Sequence, residues 1–121
     1  MSLSCGQFKQ DLMKEYNEIN RSIFAMGVKE LSVDCMNNKI ILMSKSGRPS
    51  VLRELDMNYP LDSLHVNGLL ISIFKNRLKE HFEKKYNFNI VAVFKDYDIA
   101  SEYSVTIIVL DRNVENCLNA L

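Results

Sequence analysis

The chain has 121 residues, of which 47% are hydrophobic, and its 15 basic and 15 acidic residues give a formal net charge of zero. This length predicts a single domain, residues 1–121, that folds without a metal ion or a disulfide. The absence of a basic excess disfavours nucleic acid and anionic membranes as partners, because proteins bind both of them mainly through positively charged side chains.

The first predicted element is a helix from about Ser4 to Met26. Ser4 followed by Gln7 fits a capping box, and Gly27 is a natural stop signal. The apolar residues recur every three or four positions, as on one face of a helix: Phe8, Leu12, Tyr16, Ile19 and Ile23.

A β-hairpin is predicted next. Leu31, Val33 and Cys35 alternate with polar residues, as in a half-buried strand. Residues 37–38 are both asparagine, which tolerates positive φ, so we expect a tight turn before an apolar strand over 40–43.

The stretch from Lys45 to Ser63 is irregular, with a short helical segment expected between Pro49 and Pro60. Asp62 or Ser63 is the expected cap of a second long helix that stops at Asn87. The predicted core stripe of this helix is Val66, Leu69, Leu70, Ile73, Phe74, Leu78, Phe82 and Tyr86.

A second hairpin is predicted from strands over 90–94 and 103–110, with the turn region between Asp96 and Glu102. The tail has apolar residues at the spacing of a short amphipathic helix: Val114, Cys117, Leu118 and Leu121. The element order α-β-β-α-β-β, with a short terminal helix, predicts an α+β fold. We expect a two-layer α/β sandwich in which a four-stranded, mainly antiparallel sheet carries two long helices on one face.

Three of the four strands are apolar on both of their alternating faces, which is typical of strands covered on both sides. Two helices can cover only one face of the sheet. Either the tail helix or a second subunit must then cover the other face, and we expect a homodimer because symmetric pairs are the commonest oligomers.

Catalytic and metal-binding signatures are missing from the sequence. His65 and His81 are about 24 Å apart on one predicted helix, so they cannot share a site. The acidic group Asp96, Asp98 and Glu102 lacks the glycine and the spacing of a calcium loop. We therefore expect a non-enzymatic protein with no catalytic residues, no bound metal and no cofactor.

Three cysteines, Cys5, Cys35 and Cys117, are far apart, which fits neither a disulfide framework nor a zinc motif. Reduced thiols are typical of the cytoplasm. No secretory signal is recognisable, and the apolar runs are too short to cross a bilayer. We expect a cytoplasmic protein with no direct membrane insertion.

Two alternative functions rest on basic residues. A small anionic ligand would be bound between the second helix, the 49–60 stretch and the sheet by Arg48, Arg53 or Arg77. An RNA-associated module would use the basic residues of the second helix, although glutamates interrupt them: Lys75, Arg77, Lys79 and Lys84.

The chain also resembles the Na-translocating MpsC-like family of small bacterial proteins, as a divergent member. The resemblance lies in the first helix over 8–27 and in residues 28–33, 38–42, 73–77, 91–96 and 109–111. It implies an accessory role in a sodium-linked membrane system, with a protein of a membrane complex as partner. The first functional hypothesis is therefore a non-enzymatic protein-interaction or accessory protein.

Overall fold

The computed structural model describes residues 4–119 and, within the last helix, side chains up to residue 116. The predictions for the side chains of Cys117 and Leu118, and for Leu121, lie outside the described residues. The elements in chain order are α1 (Cys5–Phe24), β1 (Lys29–Met36), β2 (Lys39–Lys45), α2 (Ser50–Asn58), α3 (Pro60–Tyr86), β3 (Ile90–Tyr97), β4 (Tyr103–Leu110) and α4 (Val114–Asn119).

The four strands form one sheet in the order β1-β2-β4-β3, and all neighbouring strands are antiparallel. Helices α1 and α3 pack against each other, and they contact β1 and β3 respectively. The predicted α+β fold, a two-layer sandwich with two long helices on one face of a four-stranded sheet, is confirmed.

The core lies between these two helices and the sheet. The predicted stripe of α1 is buried there, with Ile23 partly buried at its edge. Aromatic rings from both helices meet edge to face, with 5.3 Å between the ring centroids of Phe8 and Tyr86 and 5.2 Å between those of Tyr16 and Phe74. Such pairs fix the helices on the sheet through their geometry as well as through buried area.

Helix α1 begins as predicted and ends earlier than predicted. Ser4 and Gln7 form the capping box at its start. The helix stops at Phe24 because Ala25, with φ of 58°, adopts the left-handed conformation expected at Gly27. Gly27 instead allows close approach, since a Cβ atom there would lie 3.1 Å from Asn17 Oδ1.

The predicted start of α3 is wrong, and the first half of its apolar stripe is only partly buried. Pro60 occupies the first turn, where its missing N–H costs no hydrogen bond, so the helix begins before Asp62. The 27-residue helix is about 40 Å long, whereas strands of seven or eight residues span about 25 Å. The sheet therefore buries only its second half, and Leu69 and Ile73 are exposed.

Apolar residues occupy both faces of the sheet, as the alternation indicates. The face under the helices includes Ile40, Leu42 and Ile108, which are fully buried. The described part of α4 does not cover the opposite face, because Val114 is buried in the core on the helix side. That opposite face, called the open face below, carries Ile41, Met43, Ala92, Phe94, Tyr103, Val105, Ile107 and Val109.

Candidate functional site

A pocket lies on the helix side of the sheet, between the end of α1, the loop over 46–49, α2, α3 and the strands β3 and β4. Its cavity volume is about 40 Å³, which is room for about three water molecules or a ligand of similar size. The pocket lies where the anionic-ligand hypothesis expected it. We call it the Lys95 pocket, after the lysine on its wall.

Arg48 lines this pocket and is buried, although arginine is seldom fully buried unless it is paired. Its Nε donates to Asp56 Oδ2 at 2.9 Å and its Nη2 to Asp56 Oδ1 at 2.8 Å. Its Nη1 donates to Asn67 Oδ1 at 2.8 Å, and Nη2 also reaches Ser63. The guanidinium thus joins the loop to both α2 and α3.

The charge of Arg48 is neutralised by its partner. Hydrogen bonding from Arg48, and secondarily from Ser63, lowers the pKa of Asp56 to about 2. The carboxylate is therefore ionised at neutral pH and balances the guanidinium. Because most of its N–H groups are already bonded within the protein, Arg48 acts as a structural tie between elements.

The other two arginines of the hypothesis lie outside the Lys95 pocket. Arg53 is 60% exposed, and its Nη2 is 3.5 Å from Glu102 Oε2. Arg77 is exposed on α3, with Nη1 3.4 Å from Ser22 Oγ. The structure therefore does not bring the three arginines together.

Lys95 is the cation of the pocket that sequence reasoning missed. Its Nζ donates to Tyr16 Oη at 2.9 Å and to Ser104 Oγ at 3.1 Å. The ammonium also lies 4.1 Å from the ring centroid of Phe74. All these partners are neutral, and no carboxylate of the described residues comes within ion-pair distance of Lys95. The sequence signal that could have identified Lys95 is its position two residues after Val93 in the same strand, which places both side chains on the helix side of the sheet.

The remaining candidates form local contacts. Asp98 accepts hydrogen bonds from the backbone and side chain of Ser101, which is a turn motif. On the helix surface, His81 Nε2 lies 2.7 Å from Glu15 Oε2. Burial raises the pKa of the Cys35 thiol and so disfavours the reactive thiolate. Among the side chains of residues 4–116, no group of three His, Cys, Asp or Glu residues is arranged to hold a metal ion.

One basic residue near the end of α3 lies beside acidic residues of α1. Lys85 is paired with Asp11 and Glu15, and hydrogen bonding outweighs burial and lowers the pKa values of both carboxyl groups. The basic residues of the RNA hypothesis form no ion pair among the described residues: Lys75, Arg77, Lys79 and Lys84. The RNA-associated role stays a prediction.

The open face has an apolar centre and charged margins. Ile41, Ile107 and Phe94 lie side by side across β2, β4 and β3, and Phe94 is 57% exposed. Asp34 on β1 and Asp96 on β3 lie at opposite margins. None of the helices within the described residues is both long enough and apolar enough to cross a membrane.

A second apolar surface lies where α2 meets the first half of α3. Its exposed members, here called the helix-end patch, are Val51, Met57, Leu61 and Leu64.

Comparison of the chain with protein-family models finds no matching model, and comparisons with curated proteins and with solved structures find no match either.

Proposed function

We propose that the chain is a non-enzymatic interaction domain that forms a homodimer through its open face. The observation that carries this proposal is the uncovered apolar centre of the sheet. Phe94 and Met43 are 57% and 43% exposed there, beside half-buried Ile41, Val105 and Ile107. A contiguous exposed apolar patch of this kind is typical of a surface that binds another protein.

The area of the open face suits a dimer interface. Four strands at about 4.8 Å spacing and about 25 Å length present roughly 500 Å² per copy. Two stacked copies would bury roughly 1,000 Å² even before the relief of the side chains is counted. That value reaches the approximate lower limit for a specific interface. Two such sheets would pack about 10 Å apart, as in a β-sandwich.

The charge distribution supports a second copy as the occupant. The formal net charge is zero, so two copies do not repel each other overall. The charged residues of this face lie at its margins, with Asp34 and Asp96 on the outer strands and Lys39 and Lys45 at the two ends of β2, and they leave an apolar centre. An apolar core with a polar rim is the usual anatomy of a homodimer interface.

The resemblance to the MpsC-like family supports a wider role. We propose that the dimer is cytoplasmic and serves a sodium-linked membrane system by contacting a protein of a membrane complex. Crosslinking in cells that carry a tagged chain is expected to recover an integral membrane protein. Recovery of the chain outside the cytoplasm would contradict this role and would leave the dimer untouched.

The dimer is tested by light scattering on a sizing column at several concentrations. The wild type is expected at about twice the 14.0 kDa chain mass. Ile107→Lys places a charge at the centre of the open face and is expected to give a monomer with an unchanged circular dichroism spectrum. Leu61→Lys is the matched control, since Leu61 is 82% exposed in the helix-end patch, and it should remain dimeric.

A wild type that is monomeric at all concentrations would overturn the proposal. So would the reverse pattern, in which Leu61→Lys dissociates the dimer and Ile107→Lys does not.

A further inference from the structure

We propose that the Lys95 pocket binds a small monocarboxylate, with the carboxylate at Lys95 and a short apolar body against the helix side of the pocket. This site is on the opposite side of the sheet from the open face. Its occupancy therefore does not depend on whether the chain forms a dimer.

The charge of the pocket wall favours an anion. The lining residues include Arg48 and Lys95 but no aspartate or glutamate. Asp56 neutralises Arg48 from outside the lining, whereas Lys95 has only neutral hydrogen-bond partners among the residues that the structure describes. A partly buried ammonium without a counter-ion is costly, and an anion in the pocket would remove that cost.

The pocket wall also offers unused hydrogen-bond donors. The Lys95 ammonium has three N–H groups, and two of them are bonded to Tyr16 and Ser104. Asn67 accepts from Arg48 through Oδ1, which fixes the orientation of its amide. The Nδ2 group of Asn67 has no acceptor among the described residues. The wall thus has one ammonium donor and one amide donor free, one for each oxygen of a carboxylate.

The rest of the wall selects against larger or more highly charged anions. Phe24, Leu52 and Ile71 supply apolar surface. A cavity of about 40 Å³ has room for about three water-sized groups, which is the size of a carboxylate group. A phosphate dianion, with oxygens on every side, would leave some of them against these apolar walls without donors. A carboxylate group fits the size and the polarity of the cavity, and a body of about one to four carbons would extend from it along the apolar wall.

Binding is tested by NMR titration of the folded chain with acetate, butyrate and isovalerate, with butyramide and inorganic phosphate as comparison probes. We expect butyrate or isovalerate to shift backbone signals around the pocket, whereas the neutral amide and phosphate do not. Lys95→Met keeps the apolar stem and is expected to weaken binding about tenfold to a hundredfold, the effect of losing one charge-assisted hydrogen bond. Lys79→Met, on the exposed surface of α3, is the charge-matched control and should bind like the wild type.

A second variant covers the case in which Lys95→Met does not fold. Ile71→Phe fills the pocket from its half-buried helix wall and leaves Lys95 in place, and it should also abolish the shifts. The proposal is overturned if no carboxylate shifts the signals at about 50 mM, well above the millimolar affinities expected of such small ligands. It is equally overturned if butyramide or phosphate binds as well as butyrate, or if neither variant weakens binding.

Discussion

Replacing Arg48 by methionine should destabilise the fold, because Arg48 is the buried tie between the 46–49 loop, α2 and α3. Removing one partner of a buried ion pair typically costs about 3–5 kcal/mol. Asp56 keeps 22% of its side chain in water, so part of its charge would be solvated after the substitution. The hydrogen bonds to Asn67 and Ser63 would also be lost, at about 1 kcal/mol each. If the solvation of Asp56 roughly offsets the two lost hydrogen bonds, the free energy of unfolding should decrease by about 3–5 kcal/mol.

The ion pair between Arg48 and Asp56 also predicts that the free energy of unfolding decreases in acid. The pKa of Asp56 is lowered from 3.8 to about 2 in the folded chain, so the carboxylate stabilises the fold above its unfolded pKa. That contribution is lost as the pH falls from about 4 to about 2, where the folded carboxyl is protonated. The pKa difference corresponds to about 2.4 kcal/mol, which solvent screening of the partly exposed group reduces to about 1–2 kcal/mol.

Urea denaturation at pH 7 and at a series of values down to pH 2 measures both effects. The stability difference between wild type and Arg48→Met should narrow by about 1–2 kcal/mol in acid, because the pair is already broken there. Arg53→Met is the control, since its exposed contact with Glu102 should contribute less than about 1 kcal/mol. This role of Arg48 would be refuted if Arg48→Met lowered the free energy of unfolding by less than about 1 kcal/mol. It would also be refuted if the difference in stability between wild type and variant did not change with pH.

Three further substitutions test separate parts of the fold by thermal and urea denaturation. Gly68→Ala, in the middle of α3 with open space around the new Cβ atom, should stabilise by about 0.5–1 kcal/mol, and destabilisation would mean that α3 has a contact there. Ser44→Ala removes a buried hydroxyl that has no hydrogen-bond partner among the described residues and should be neutral or stabilising by about 1 kcal/mol; a loss of stability would indicate a bound water. Ser4→Ala should cost about 1 kcal/mol by opening the capping box, and no change would show that the first turn is not coupled to global unfolding.

The fold was predictable from local signals because most of its elements carry them without conflict. The capping box at Ser4, the left-handed stop at Asn87 and the asparagine turn at Asn37 all lie where the sequence indicates. The burial of α3 was not predictable in this way. Periodicity tells which face of a helix is apolar, but how much of that face the sheet covers depends on the relative lengths of the packed elements.

The candidate site was predictable in position and only partly in composition. The pocket lies between the elements that the sequence indicated, and Arg48 lines it. The acid that neutralises Arg48, Asp56, is eight residues away on a helix whose rotation sequence alone does not fix. Lys95 was missed because the expected strand ended at Phe94, which left the lysine outside the strand and next to the turn region.

One irregularity in β3 determines both surfaces discussed above. Between Ile90 and Ala92 the pairing with β4 shifts by one residue, so that Val91 is extra in the ladder and is exposed. A one-residue shift moves every following side chain to the other face of the sheet. Without it, Phe94 would point under the helices and Lys95 toward the open face. The bulge thus places the Phe94 ring on the open face and the Lys95 ammonium in the pocket. The same shift keeps the centre of the open face apolar and gives the pocket a cation that no carboxylate of the described residues neutralises.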